Sequence, residues 1–142
     1  MDKIRAVMII EMMGRPPKHL QQSLTSHVEG IDKVDGVKII NNSESKPKKV
    51  KESKEEMYTC FSEVEVEADS FLTLIELIFD FMPSSIEVLS PNSLKMDIHD
   101  ATSLLNTLSG RLHKYDEIAK VLKIKNQQLM QKLQEGQQAS KK

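Results

Sequence analysis

With 142 residues, 39% of them hydrophobic, the chain is long enough for one domain with its own core plus an appendage, and too apolar for a fully disordered polymer. Aromatic residues make up 4% with no Trp, so stacking platforms for bases or sugars are scarce, and a net charge of −1 announces neither a nucleic-acid coat nor a membrane surface. One Cys excludes an intramolecular disulfide framework and suits a reducing compartment.

In chain order, residues 3–13 read as a strand. Ile4, Ala6, Met8, Ile10 and Met12 point one way, and Val7 and Ile9 add apolar groups on the other face, the pattern of a central strand. Gly14-Arg15-Pro16-Pro17 breaks it, and Pro at the first turn starts a helix whose stripe is Leu20, Leu24, Val28 and Ile31, with Gly30 as its predicted stop. Asp35-Gly36 turns the chain into a short strand, Val37 to Ile40. Residues 42–56 hold no large apolar residue except Val50 and Met57 only follows them, which predicts a flexible charged loop.

Beyond the loop, Tyr58, Cys60, Val64 and Val66 share one face of a strand, and Phe61, Glu63, Glu65 and Glu67 the other, wet one. Asp69 or Ser70 caps a helix from Phe71 to Met82 that is apolar nearly all round and is expected to be buried on more than one side; Pro83 ends it. Ile86 to Leu89 reads as a last short strand, with Leu94 to Ile98 as a further one, and Asp97 or Asp100 opens a long final helix.

Strand–helix–strand–strand–helix–strand defines an α+β fold, a ferredoxin-like split βαβ sandwich with a long C-terminal helix. The expected layout is an α+β domain over residues 1–98, an amphipathic, coiled-coil helix over 99–135 and a disordered tail over 136–142. The open sheet face would present Val7, Ile9, Ile40, Phe61 and Leu89 amid Arg5, Glu11, Lys38, Glu63 and Glu65, an apolar band with a charged rim. Such a band is an expected contact surface, either for the first turns of the final helix of the same chain or for a second subunit.

The final helix holds the most specific pattern in the chain. Ala101, Leu105, Leu108, Leu112, Tyr115, Ala119, Leu122, Asn126, Leu129 and Leu133 follow a four–three spacing without a slip. That period averages 3.5 residues and keeps one seam facing a partner helix, so these residues are the expected self-association site of a homodimer. A lone Asn126 in the seam restricts register and stoichiometry, because other arrangements bury it unpaired. Residues 1–110 carry 12 basic and 18 acidic side chains, whereas residues 111–142 carry 8 and 3. The basic helix therefore leaves room for a protein or an RNA partner.

Other patterns are weaker. The basic run Lys46 to Lys51 is nearly neutralised by Glu44, Glu52, Glu55 and Glu56. Three carboxylates on the exposed face of Tyr58 to Glu67 would repel phosphates where an RNA-recognition strand needs stacking aromatics. His19, His27, His99 and His113 lack zinc-ligand spacing, and Cys60 faces inward with no basic residue nearby in sequence. No catalytic, metal or cofactor-binding residue is therefore expected. The charged stretch Met1 to Arg5 and the lack of any apolar run near ~20 residues predict a cytoplasmic protein without a membrane span.

The turn Met13-Gly14-Arg15-Pro16-Pro17-Lys18-His19-Leu20, in its element order, resembles ACT-type regulatory domains over about residues 3–90. In that family such a turn helps bind amino acids at a subunit interface, so the resemblance implies a ligand role for Gly14 and Arg15 and a small-metabolite sensor as the alternative function. Pro17 stands where those domains favour a glycine. The chain also resembles small archaeal proteins to which no activity is attached. The leading expectation is a non-enzymatic, self-associating interaction module.

Overall fold

Apolar side chains on both faces of residues 4–14 place that strand at the centre of a sheet. The computed structural model describes residues 3–52 and 54–140 and separates a first unit, ending at Asp97, from a second, beginning at Ile98. In the first unit, β1 (Ile4–Gly14) pairs antiparallel with β4 (Tyr58–Ala68) along its whole length, from Ile4 opposite Ala68 to Gly14 opposite Tyr58. The other edge of β1 takes β5 (Ser85–Ser90), and the other edge of β4 takes β2 (Val37–Glu44), giving the order β2-β4-β1-β5. A two-residue strand, β3 (Lys48–Lys49), also pairs with β4. With α1 (Pro17–Ile31) and α2 (Phe71–Phe81), this is the split βαβ, ferredoxin-like arrangement.

The core lies on one side of the sheet. Ile4, Ala6, Met8 and Ile10 of β1 and Cys60, Val64, Val66 and Ala68 of β4 meet Leu20, Leu24, Val28 and Ile31 of α1 and Leu74 and Leu77 of α2. Each large aliphatic side chain buried there stabilises the fold by about 1.5–3 kcal/mol. Helix α1 starts with Pro17 and lacks a side-chain cap, whereas α2 is capped by the Ser70 hydroxyl, which accepts from the Thr73 N–H at 3.2 Å.

The structure changes several expectations. Helix α1 runs one residue past Gly30 to Ile31, and a Cβ at Gly30 would lie 3.4 Å from the Phe81 ring, at the near edge of ordinary contact. His27 reinforces that contact: its Nε2 lies 3.0 Å from the Phe81 carbonyl oxygen, and since a carbonyl only accepts, Nε2 carries the hydrogen. Gly36 is required, with φ +79 and Asp69 Oδ2 3.0 Å from where a Cβ would sit. Helix α2 buries only Leu74 and Leu77; Leu72, Ile75, Ile78 and Phe79 are half-buried. Its end is made by Met82 in the left-handed conformation, one residue before the proline.

Strand β2 does not end at Ile40, and the flexible loop does not begin at residue 42. Asn41 to Glu44 continue the ladder past a register shift between Ile39 and Asn41. The Ser45 N–H donates to the Phe61 carbonyl (2.8 Å), and the Ser45 hydroxyl accepts from the Phe61 N–H (3.0 Å). Thr25 donates to Glu44 Oε2 at 2.8 Å, tying the strand to α1. Backbone pairing, which apolar content does not report, holds this polar edge. A further strand over Leu94 to Ile98 does not form: residues 91–97 are irregular and Ile98 begins α3.

Ser62 is fully buried opposite Ile10, and its Oγ has no hydrogen-bond partner among the described residues. Ser62→Ala removes a desolvated hydroxyl at almost constant volume, so thermal unfolding should show a stabilisation of about 1 kcal/mol. Leu24→Ala, at a fully buried site, should destabilise by about 2–5 kcal/mol in the same melt.

Candidate self-association interface

Helix α3 (Ile98–Ser140) is 43 residues long, about 65 Å at the usual rise, and none of its described residues is buried. It extends beyond residue 135 into the stretch expected to be a disordered tail; Gly136 does not end it, and residues 141 and 142 lie outside the described residues. Asp100 in the first turn suits the positive end of the helix dipole.

The seam read from the sequence lies along this helix. Leu105, Leu112, Leu122, Leu129 and Leu133 are each 55–63% exposed, Tyr115 and Asn126 are exposed, and Leu108 and Ala101 are half-buried. In heptad terms Leu105, Leu112, Ala119, Asn126 and Leu133 occupy a, and Ala101, Leu108, Tyr115, Leu122 and Leu129 occupy d. Ile118, Val121, Ile124 and Met130 are also exposed and widen the apolar surface beyond the seam. An isolated helix gains little from propensity alone, so a 43-residue one with this much bare aliphatic surface has most to gain from a partner helix.

Charges on α3 are partly settled within the chain. Lys120 Nζ lies 2.9 Å from Asp116 Oδ2 and His113 Nε2 3.0 Å from Glu117 Oε1, both one helical turn apart. In a parallel heptad pair Arg111 of one copy would face Asp116 of the other, a carboxylate that already holds a lysine. Residues 118–134 contain Lys120, Lys123, Lys125 and Lys132 and no carboxylate.

The ACT-like turn joins the end of β1 to the start of α1. Gly14 closes β1, and a Cβ there would meet Leu20 Cδ1 at an ordinary 3.5 Å. Arg15 Nη2 lies 3.7 Å from Glu55 Oε2. Next to this turn, a shallow concavity of about 330 Å³ is lined by Glu11, Met12, Met13, Thr59, Cys60 and Phe61. The sequence did not signal it, because it forms only when the ends of β1 and β4 pair. Burial, and secondarily the Glu44 carboxylate, push the Cys60 thiol up, away from a reactive thiolate. The Tyr58 hydroxyl donates to Glu56 Oε1 at 2.7 Å, which holds the phenol protonated to higher pH than usual. Among the described residues, no group of three or more His, Cys, Asp or Glu is placed to hold a metal, and no helix is long and apolar enough to cross a membrane.

The fold is a ferredoxin-like α+β domain followed by a long helix whose heptad-spaced apolar residues are largely exposed. The MJ0538 family, named after an archaeal protein, matches residues 5–140, and the chain belongs to it. No curated protein and no solved structure matches the chain.

Gly110 sits in the helix interior, and a Cβ there would meet nothing within 4 Å. Gly110→Ala should raise helix stability by about 1 kcal/mol, read from the far-ultraviolet circular dichroism melt. Thiol titration of the folded chain at mildly alkaline pH should label Cys60 about ten-fold or more slowly than in denaturant; equal rates would show an open, reactive site.

Proposed function

We propose that the protein is a non-enzymatic, self-associating interaction module that dimerises through α3 and binds a macromolecular partner. The observation that carries this reading is the row of five seam leucines, 55–63% exposed, on a helix with no buried residue. The seam spans more than four heptads, beyond the three to four at which such a pattern becomes specific. In a parallel pair each g position faces the following e position of the partner. Ile118 then faces Lys123, Lys125 faces Met130 and Lys132 faces Gln137, so the lysines are not set against one another.

The metabolite-sensor alternative would have to separate Arg15 from Glu55 and use a glycine engaged in the sheet. The single Cys60 fits a reducing, cytoplasmic setting.

Light scattering after size exclusion tests the reading. The intact chain should be dimeric at tens of micromolar, and truncation before Arg111 should weaken association while a far-ultraviolet melt still shows a folded sheet unit. Asn126→Leu replaces a seam amide with apolar surface, so association should strengthen by about 1 kcal/mol or more and larger species should appear. A monomeric intact chain would overturn the dimer.

A further inference from the structure

The sheet face opposite the helices has two ends of different character. At one end its charges are paired: Lys3 Nζ lies 3.7 Å from Glu67 Oε1 and 3.8 Å from Asp69 Oδ1, and Arg5 Nε lies 3.6 Å from Glu67 Oε2. Toward the other end, Val7 and Ile9 of β1 are half-buried and Phe61 of β4 is 43% exposed. Around them stand Glu11, Glu63, Glu65 and Glu87, none in an ion pair among the described residues. The register fixes their places: Glu65 and Glu87 flank Val7, Glu63 lies beside Ile9, and Glu11 lies beside Phe61. Ile40 and Leu89, expected in this band, are exposed and fall where the ladders of β2 and β5 shift register.

We infer that this face docks an α-helix of a partner protein that is apolar along one side and flanked by lysine or arginine. The inference deepens the interaction-module reading and rests on it for the existence of a partner. Its ground is charge complementarity. Glu65 and Glu87 lie on the strands either side of β1, about 10 Å apart at two strand spacings. A helix with its side chains is about 10–12 Å across, so one lying along β1 sets its apolar stripe on Val7, Ile9 and Phe61 and its flanking cations against Glu63 and Glu65 on one side and Glu87 on the other. A second copy of the same face is a poor occupant, because four carboxylates would meet four. A phosphate backbone is excluded on the same ground.

The test uses the full chain and two synthetic helical peptides, one with leucine along one helical face and lysine on the rest, the other with glutamate in place of the lysine. Fluorescence anisotropy should show binding of the leucine/lysine peptide only, weakening as added salt shortens the Debye length below about 10 Å. Combined Glu63→Gln, Glu65→Gln and Glu87→Gln should weaken it about ten-fold, three exposed ion pairs near the middle of their usual range of strength, while the unfolding midpoint stays in place. Val7→Ser should weaken it without changing the charge.

Equal binding to the Gln variant, or binding of the leucine/glutamate peptide, would overturn the inference. So would a change in the chain's own oligomeric state on the Glu→Gln substitutions, which would make the occupant a second copy. Repeating the titration with Leu122→Asp separates the two proposals. Binding retained by a monomeric variant leaves this face standing by itself. Binding lost with it would place the peptide on α3 and overturn the inference.

Discussion

The pairing of β1 with β4 is the constraint on which the first unit depends. Eleven residues of each strand meet in unbroken register, and every second pair, from Ile4 with Ala68 to Met8 with Val64, turns toward α1 and α2. A slip of one residue would move Glu63, Glu65 and Glu67 into the core and Val64 and Val66 into water, an exchange far more costly than the marginal stability of a domain this size. The register that builds the core therefore also places the carboxylates in rows on the opposite face. Core and acidic face are two consequences of one alternation.

That alternation explains what could be read in the sequence. The α1 stripe of Leu20, Leu24, Val28 and Ile31 and the alternating β1 and β4 strands are repeated, side-chain-driven signals, and each is realised as burial. The polar end of β2 was not legible, because Asn41, Asn42 and Ser43 are held by main-chain hydrogen bonds to β4 rather than by apolar contact. Gly30 lies one residue before the end of α1, so the expected stop is displaced by a single residue. The concavity at Met12 and Cys60 and the orphaned Ser62 hydroxyl depend on long-range pairing and carry no local mark.

The long helix shows the opposite balance. The helix itself is legible, since a heptad spacing is written entirely in local sequence, but it runs on through Gly136 to Ser140, beyond the expected end at residue 135. A glycine costs an exposed helix about 1 kcal/mol, too little to end one already more than thirty residues long. What spacing does not contain is the ion-pair choice of Asp116, which takes the neighbouring Lys120 within its own turn. An intrahelical pair forms without the loss of freedom that an intermolecular one requires, so Arg111 would have to compete for that carboxylate.

Charge is segregated along the chain, with a net of −6 over residues 1–110 and +5 over 111–142. The acidic sheet faces of two copies repel one another, whereas the g and e positions of α3 set no lysine against a lysine in a parallel pair. Under the proposed mode of association, the helix is thus the surface that electrostatics permits to self-associate, and the sheet face is the one it keeps available. A dimer made through α3 would carry two such faces. A partner presenting two basic helices would then meet the second at a high effective concentration, gaining avidity even where each helix–sheet contact is weak. Modest single-site affinity, rather than tight one-to-one binding, is what this division of charge favours.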